Sequence, residues 1–157
     1  MRRLKPRKRA SRSPPSEADS TDSLLFASDR REVQKMKQGL EVVGVYRPRG
    51  KYSLVGAVEL IRSAVEHCRN RQIPMLLINA SGMTGVPIPS LVDRFLAAEE
   101  WAQEAQGMVA VALIVPREYI HLQKFGVPVA AHFAMKLDVL SSEIDGFAWI
   151  SNLTDSR

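Results

Sequence analysis

Past residue 39 the chain alternates short apolar runs with longer stretches in which apolar residues recur every three or four positions. Residues 40–46 (LEVVGVY) read as a strand, and RPRGK at 47–51 supplies the proline and glycine of a turn. Ser53 can cap a helix running to about residue 71, since Leu54, Val58, Ile61, Val65 and Cys68 share one helical face. Residues 75–78 are wholly apolar, the pattern of a strand buried on both faces. Ser90 opens a second helix with Leu91, Phe95, Ala98, Ala102 and Ala105 as its apolar face. Residues 108–115 (MVAVALIV) give a further strand. Pro116 begins a third helical region carrying Tyr119, Leu122 and Phe125, broken at Gly126 and Pro128 and resumed through Phe133. A last strand at 137–140 precedes a short helix through Phe147 and Trp149. Apolar strands joined by helices need right-handed crossovers. The pattern therefore predicts an α/β fold: a single, mostly parallel sheet of four to five strands with alternating helices.

The chain of 157 residues supports one ordinary core, which residues 36–157 are expected to form. Residues 1–35 are basic, then rich in serine and proline, then acidic, and offer little to bury. They are expected to be a disordered tail. The net charge of +5 resides there: Arg2, Arg3, Lys5, Arg7, Lys8, Arg9 and Arg12 are seven of the 22 basic residues, leaving 15 against 17 acids. The domain itself is near neutral, so nucleic acid or an anionic membrane would be met only through residues 1–13. One cysteine, Cys68, excludes an internal disulfide and reads as a buried thiol. The longest apolar run, 108–116, is far too short to cross a membrane, and the basic start lacks the apolar stretch of a secretory signal. A cytoplasmic protein without a transmembrane segment is expected.

Candidate chemistry gathers in residues 74–101, where a strand feeds a polar, glycine-bearing loop (NASGMTGVPIP) and then a capped helix. Loops at the carboxyl ends of parallel strands are where α/β proteins place function. Asn79, Ser81, Gly82, Thr84, Gly85 and Asp93 are the candidate partner or ligand loop. Gly82 suits a turn that needs a permissive backbone, and GMTG lacks the spacing of a phosphate-binding loop. Ser90 has two readings. Ser90-Leu91-Val92-Asp93 has the serine-x-x-acid form related to a capping box, and a helix-start hydroxyl also suits a phosphate. His67, His121 and His132 find no carboxylate at metal-ligand spacing and read as structural. Glu99 and Glu100 lie on the polar face of the second helix. No nucleophile, base and orienting group assemble, so no catalytic residue, metal or cofactor is expected.

The segments RPRGKYSL, MLLINASG and SLVDRFLAAEEWA, with the C-terminal VAVALIVPREYIHLQKFGVPVAAHFAMKLDVLSSEIDGFAWI, together resemble a STAS domain (sulfate transporter and anti-sigma factor antagonist). The likeness is to the stand-alone SpoIIAA-like branch of small bacterial proteins and covers residues 39–150. It implies the same α/β fold. Phosphoregulated relatives carry an aspartate at the strand end and a serine at the following helix start. The resemblance places Asn79 at the first position and Ser90 nearest the second.

Three functional expectations follow. The leading one is a non-enzymatic interaction module that binds another protein through residues 79–95, with optional phosphoregulation at Ser90. The second is a small-ligand or lipid-binding domain, which an apolar pocket between the second and third helices would favour. The third is a nucleic-acid-associated protein acting through its basic arm.

Overall fold

The computed structural model describes residues 23–26, 31–38 and 41–155, so residues 1–22 and 27–30 of the expected tail lie outside the described residues. Among the described residues there are eight strands and four α-helices: β1 (Ser23–Phe26), β2 (Arg31–Gln38), β3 (Glu41–Tyr46), β4 (Gly50–Lys51), α1 (Leu54–Asn70), β5 (Met75–Asn79), β6 (Met83–Thr84), α2 (Leu91–Ala105), β7 (Ala110–Ile114), α3 (Gly126–His132), β8 (Leu137–Leu140) and α4 (Glu143–Asp155). The main sheet has the order β1-β2-β3-β5-β7-β8. From β3 onward it is parallel, with Val43 opposite Met75, Met75 opposite Ala110 and Val111 opposite Leu137.

Alternation along the central strands sends side chains to two separate cores. Leu76, Ile78, Val111 and Leu113 face a layer that holds α1, α2 and α3. Met75, Leu77, Ala112 and Ile114 face the other way, where Ile150 and the partly buried Phe147, Trp149 and Leu153 of α4 cover them. Burial on both faces is why these strands read as unbroken apolar runs.

The α/β reading holds from Glu41 to the C-terminus, with three corrections. The sheet has six strands rather than four or five, because β1 and β2 add an antiparallel edge that begins inside the stretch expected to be a tail. In β2, Val33 is buried while Gln34 and Met36 are exposed, so the strand, though paired on both sides, carries little apolar signal and many polar residues. The third helical region is a 3-10 turn at Arg117–Tyr119 followed by α3, where Pro128 sits in the first turn and its missing N–H costs no helical bond. Finally, α2 buries Ala97, Ala98, Trp101, Ala102 and Ala105. Leu91 and Phe95, expected on that face, are 50% and 40% exposed. The first turns of α2 turn Asp93 and Arg94 toward a pocket rather than onto the sheet.

Candidate functional site

Two groups of side chains stand at the carboxyl end of the parallel strands, with a pocket nearby. The first is centred on Asn79, the last residue of β5. Its side-chain oxygen accepts from the Ser81 backbone N–H at 3.0 Å and from the Ser81 hydroxyl, which fixes the 3-10 turn Ala80–Gly82. Its Nδ2 donates to Glu143 Oε2 at 2.7 Å. Glu143 opens α4 and also receives Arg47 from just after β3, through Nε at 2.7 Å and Nη2 at 2.9 Å. The Arg47 hydrogen bond holds the Glu143 carboxyl below the usual carboxylate range; burial opposes this and Asn79 reinforces it. The arrangement ties three chain ends together around one neutralised carboxylate. Arg47 and Glu143 were not singled out from the sequence. Their signal was faint: an arginine closing a strand, and an acid at a helix start 96 residues away.

The second group is the start of α2. Ser90 Oγ accepts from Asp93 N at 3.1 Å, and Asp93 Oδ2 accepts from Ser90 N at 3.0 Å, a complete capping box. The Asn79–Ser81 and Ser90–Asp93 pairs hold separate sets of partners. Between them, β6 pairs in parallel with β4, Thr84 Oγ1 donates to Gly50 O at 3.3 Å, and Tyr52 N donates to Thr84 O at 2.9 Å. The left-handed backbone falls at Gly85 (φ +83°) rather than at Gly82. Gly82 is small for another reason: a Cβ there would stand 3.1 Å from the Pro48 carbonyl oxygen.

The pocket has a volume of about 150 Å³ and lies between α1, α2, β7 and residues 116–126. Val58, Ile61, Met83, Trp101, Leu113 and Phe125 supply much of its wall. The α1 and α2 walls are cross-tied. Trp101 Nε1 donates to Val58 O at 3.0 Å, and Arg62 joins Glu104 at 2.9 Å and Glu100 at 3.5 Å. Arg69 reaches Glu104 at 2.6 Å. Burial would raise the Glu104 carboxyl, but the hydrogen bonds of Arg69 and Arg62 outweigh it and the group titrates low. Of the candidate loop residues and the three histidines, Asp93 and His121 line this pocket.

His67 is half-buried, and desolvation, with Arg71 nearby, lowers its pKa. His132 is exposed and stacks edge-on with Phe133 at 5.0 Å. Among the described residues no three His, Cys, Asp or Glu side chains cluster as metal ligands, and no helix is long and apolar enough to cross a membrane.

No family model matches the chain, and no curated protein matches it. The chain is similar to an uncharacterised protein of the DUF3478 family from Shewanella loihica PV-4, whose crystal structure is described as having a SpoIIAA-like fold. The two share 15% identity over 79% of this chain and 98% of that one, with a TM-score of 0.43.

Proposed function

We propose that this domain is a non-enzymatic binding module and that its pocket takes a small apolar ligand. The observation that carries the reading is the pocket itself: a concave, largely apolar space beside the loops at the carboxyl ends of the strands, where α/β folds bind ligands. The neighbouring polar groups form ties and caps rather than a nucleophile beside a base. Asn79 and Glu143 hold chain ends together, and Ser90 caps the start of α2. The test is to purify the full chain natively, extract it with organic solvent and identify what is released by mass spectrometry. One apolar compound at near-stoichiometric yield is the expected result. Its absence, together with no saturable binding of apolar compounds by the purified chain, refutes the reading.

A second reading, a docking surface for another protein, is favoured by the exposed apolar side chains that begin α2. Ile88, Leu91, Val92, Phe95 and Leu96 are 58%, 50%, 66%, 40% and 54% exposed. Grouped apolar exposure of this kind marks interaction sites. A phosphate on Ser90 would act on the same surface, because it takes the oxygen that accepts from Asp93 N and sets a second charge beside that carboxylate. Capture of a partner by the wild-type chain that is lost with Leu91→Asp supports this reading. Equal capture by both chains sinks it.

A further inference from the structure

Within the proposed ligand-binding function, and resting on it, we infer that the pocket selects an uncharged, compact molecule of about one ring, rather than a fatty acid or another ligand with an anionic head. Three observations lead there.

The polar side chains that line the pocket already have protein partners. Asp93 is held in the capping box, Arg94 Nη1 donates to the Tyr119 carbonyl at 2.9 Å, and the Tyr119 hydroxyl donates to the Val86 carbonyl. Trp101 Nε1 donates to Val58 O, His121 Nδ1 accepts from Gln123 N at 3.1 Å, and Lys124 Nζ pairs with Asp138 at 2.8 Å. A carboxylate or phosphate entering the pocket would find the Lys124 charge already matched by Asp138 and would have to share Arg94 with the Tyr119 carbonyl. Desolvating an anion without such a partner is strongly unfavourable, whereas an apolar molecule asks nothing of these groups.

Size sets the second limit. A volume of about 150 Å³ lined mostly by apolar side chains matches in size an engineered cavity that binds benzene. An extended acyl chain exceeds that volume and would leave part of its length outside unless the walls parted.

The walls are held against parting. α1 and α2 are joined by the Trp101–Val58 hydrogen bond and by the Arg62 and Arg69 pairs to Glu104. Parting α1 from α2 to lengthen the space would break several of these ties together, and moving the wall at residues 116–126 would cost the Arg94–Tyr119 and Tyr119–Val86 hydrogen bonds.

Trp101 lines the pocket, whereas Trp149 lies in the separate core beneath α4. The full chain carrying Trp149→Phe therefore reports pocket occupancy through Trp101 fluorescence. It would be titrated with toluene, with cyclohexane, with sodium decanoate, and with vesicles of phosphatidylcholine and phosphatidylglycerol. The expected result is a saturable change with toluene and cyclohexane, an affinity at least about tenfold weaker for decanoate, and no response to vesicles. Ala97→Leu, which fills the pocket, should abolish the toluene response. Ala57→Leu on the opposite wall gives the same test if the first variant does not fold, and circular dichroism checks both. Saturation by decanoate or vesicles at equal or higher affinity than the ring compounds overturns this inference while leaving the ligand-binding reading intact. No response to any of the four overturns both.

Discussion

Replacing Glu143 by glutamine removes the charge on which three hydrogen bonds converge. Arg47 reaches the carboxylate through two nitrogens at 2.7 and 2.9 Å, and Asn79 reaches it at 2.7 Å. Hydrogen bonds to charged groups contribute about 1.5–3 kcal/mol when shielded, and exposed ion pairs about 0.2–1 kcal/mol. With the Arg47 and Glu143 side chains 46% and 27% exposed, water screens the pair heavily. Glutamine also keeps one oxygen that can accept. The net loss at neutral pH is therefore about 1 kcal/mol, a fall in Tm of about 2–4 °C for a domain of this size. The sign with pH follows from the depressed carboxyl, held down chiefly by the Arg47 hydrogen bond. Such a group contributes fully above its unfolded pKa of about 4.3 and loses that contribution as pH falls through the lower folded value. The gap between wild type and Glu143→Gln should be complete at about pH 7 and closing at about pH 3. Urea unfolding followed by circular dichroism at both values measures it. A gap of equal size at both, or none at neutral pH, would refute the reasoning.

Ser90→Ala removes one half of the capping box and should cost about 1 kcal/mol in the same assay, while Ser90→Asp, which can still cap, should cost much less; equal losses would contradict a capping role. Burial pushes the Cys68 thiol up to about 12, so a disulfide reagent at mildly alkaline pH should leave the folded chain untouched and react on unfolding. Immediate reaction of the native protein would count against that burial. Gly146→Ala places a Cβ 2.8 Å from the ends of both Ile114 and Leu77, inside the core that α4 covers. Overpacking there should destabilise by about 1–3 kcal/mol in urea unfolding, and an unchanged midpoint would show that these side chains give way freely.

What was legible in the sequence followed the strength of local signals. β5 and β7 are apolar on both faces and could be read as short runs, and Ser53 and Ser90 marked two helix starts that the structure places at those residues. β2 was illegible because, of its residues, Val33 is buried while Gln34 and Met36 stay exposed, so little apolar alternation marks it. Leu91 and Phe95 fitted a helical stripe, but periodicity states which residues share a face and not whether anything lies beneath each turn. The Arg47–Glu143–Asn79 tie depends on where the topology returns the chain after 64 and 96 residues, which no local pattern encodes. The pocket was anticipated only as a condition, since its walls come from two helices, a strand and a loop whose spacing is set by tertiary packing.

The two faces of the sheet are closed in opposite ways. Under α4, Gly146 lets the helix approach until the space for even a methyl group is gone. On the other face the wall residues Ala57, Ala97 and Ala98 are small, and Val58, Ile61 and Trp101 stand around a space that no side chain occupies. If that space of about 150 Å³ were a fully enclosed apolar void, leaving it empty would forfeit up to about 4 kcal/mol at roughly 24 cal/mol per Å³. A packing fault of that size would be relieved by any larger side chain on α1 or α2. A ligand site would recover the same energy on occupancy, so the stability of the domain would rise with ligand concentration. Pocket-filling substitutions at Ala57 or Ala97 therefore separate the two cases: in a ligand site, whatever stability they add comes with the loss of binding.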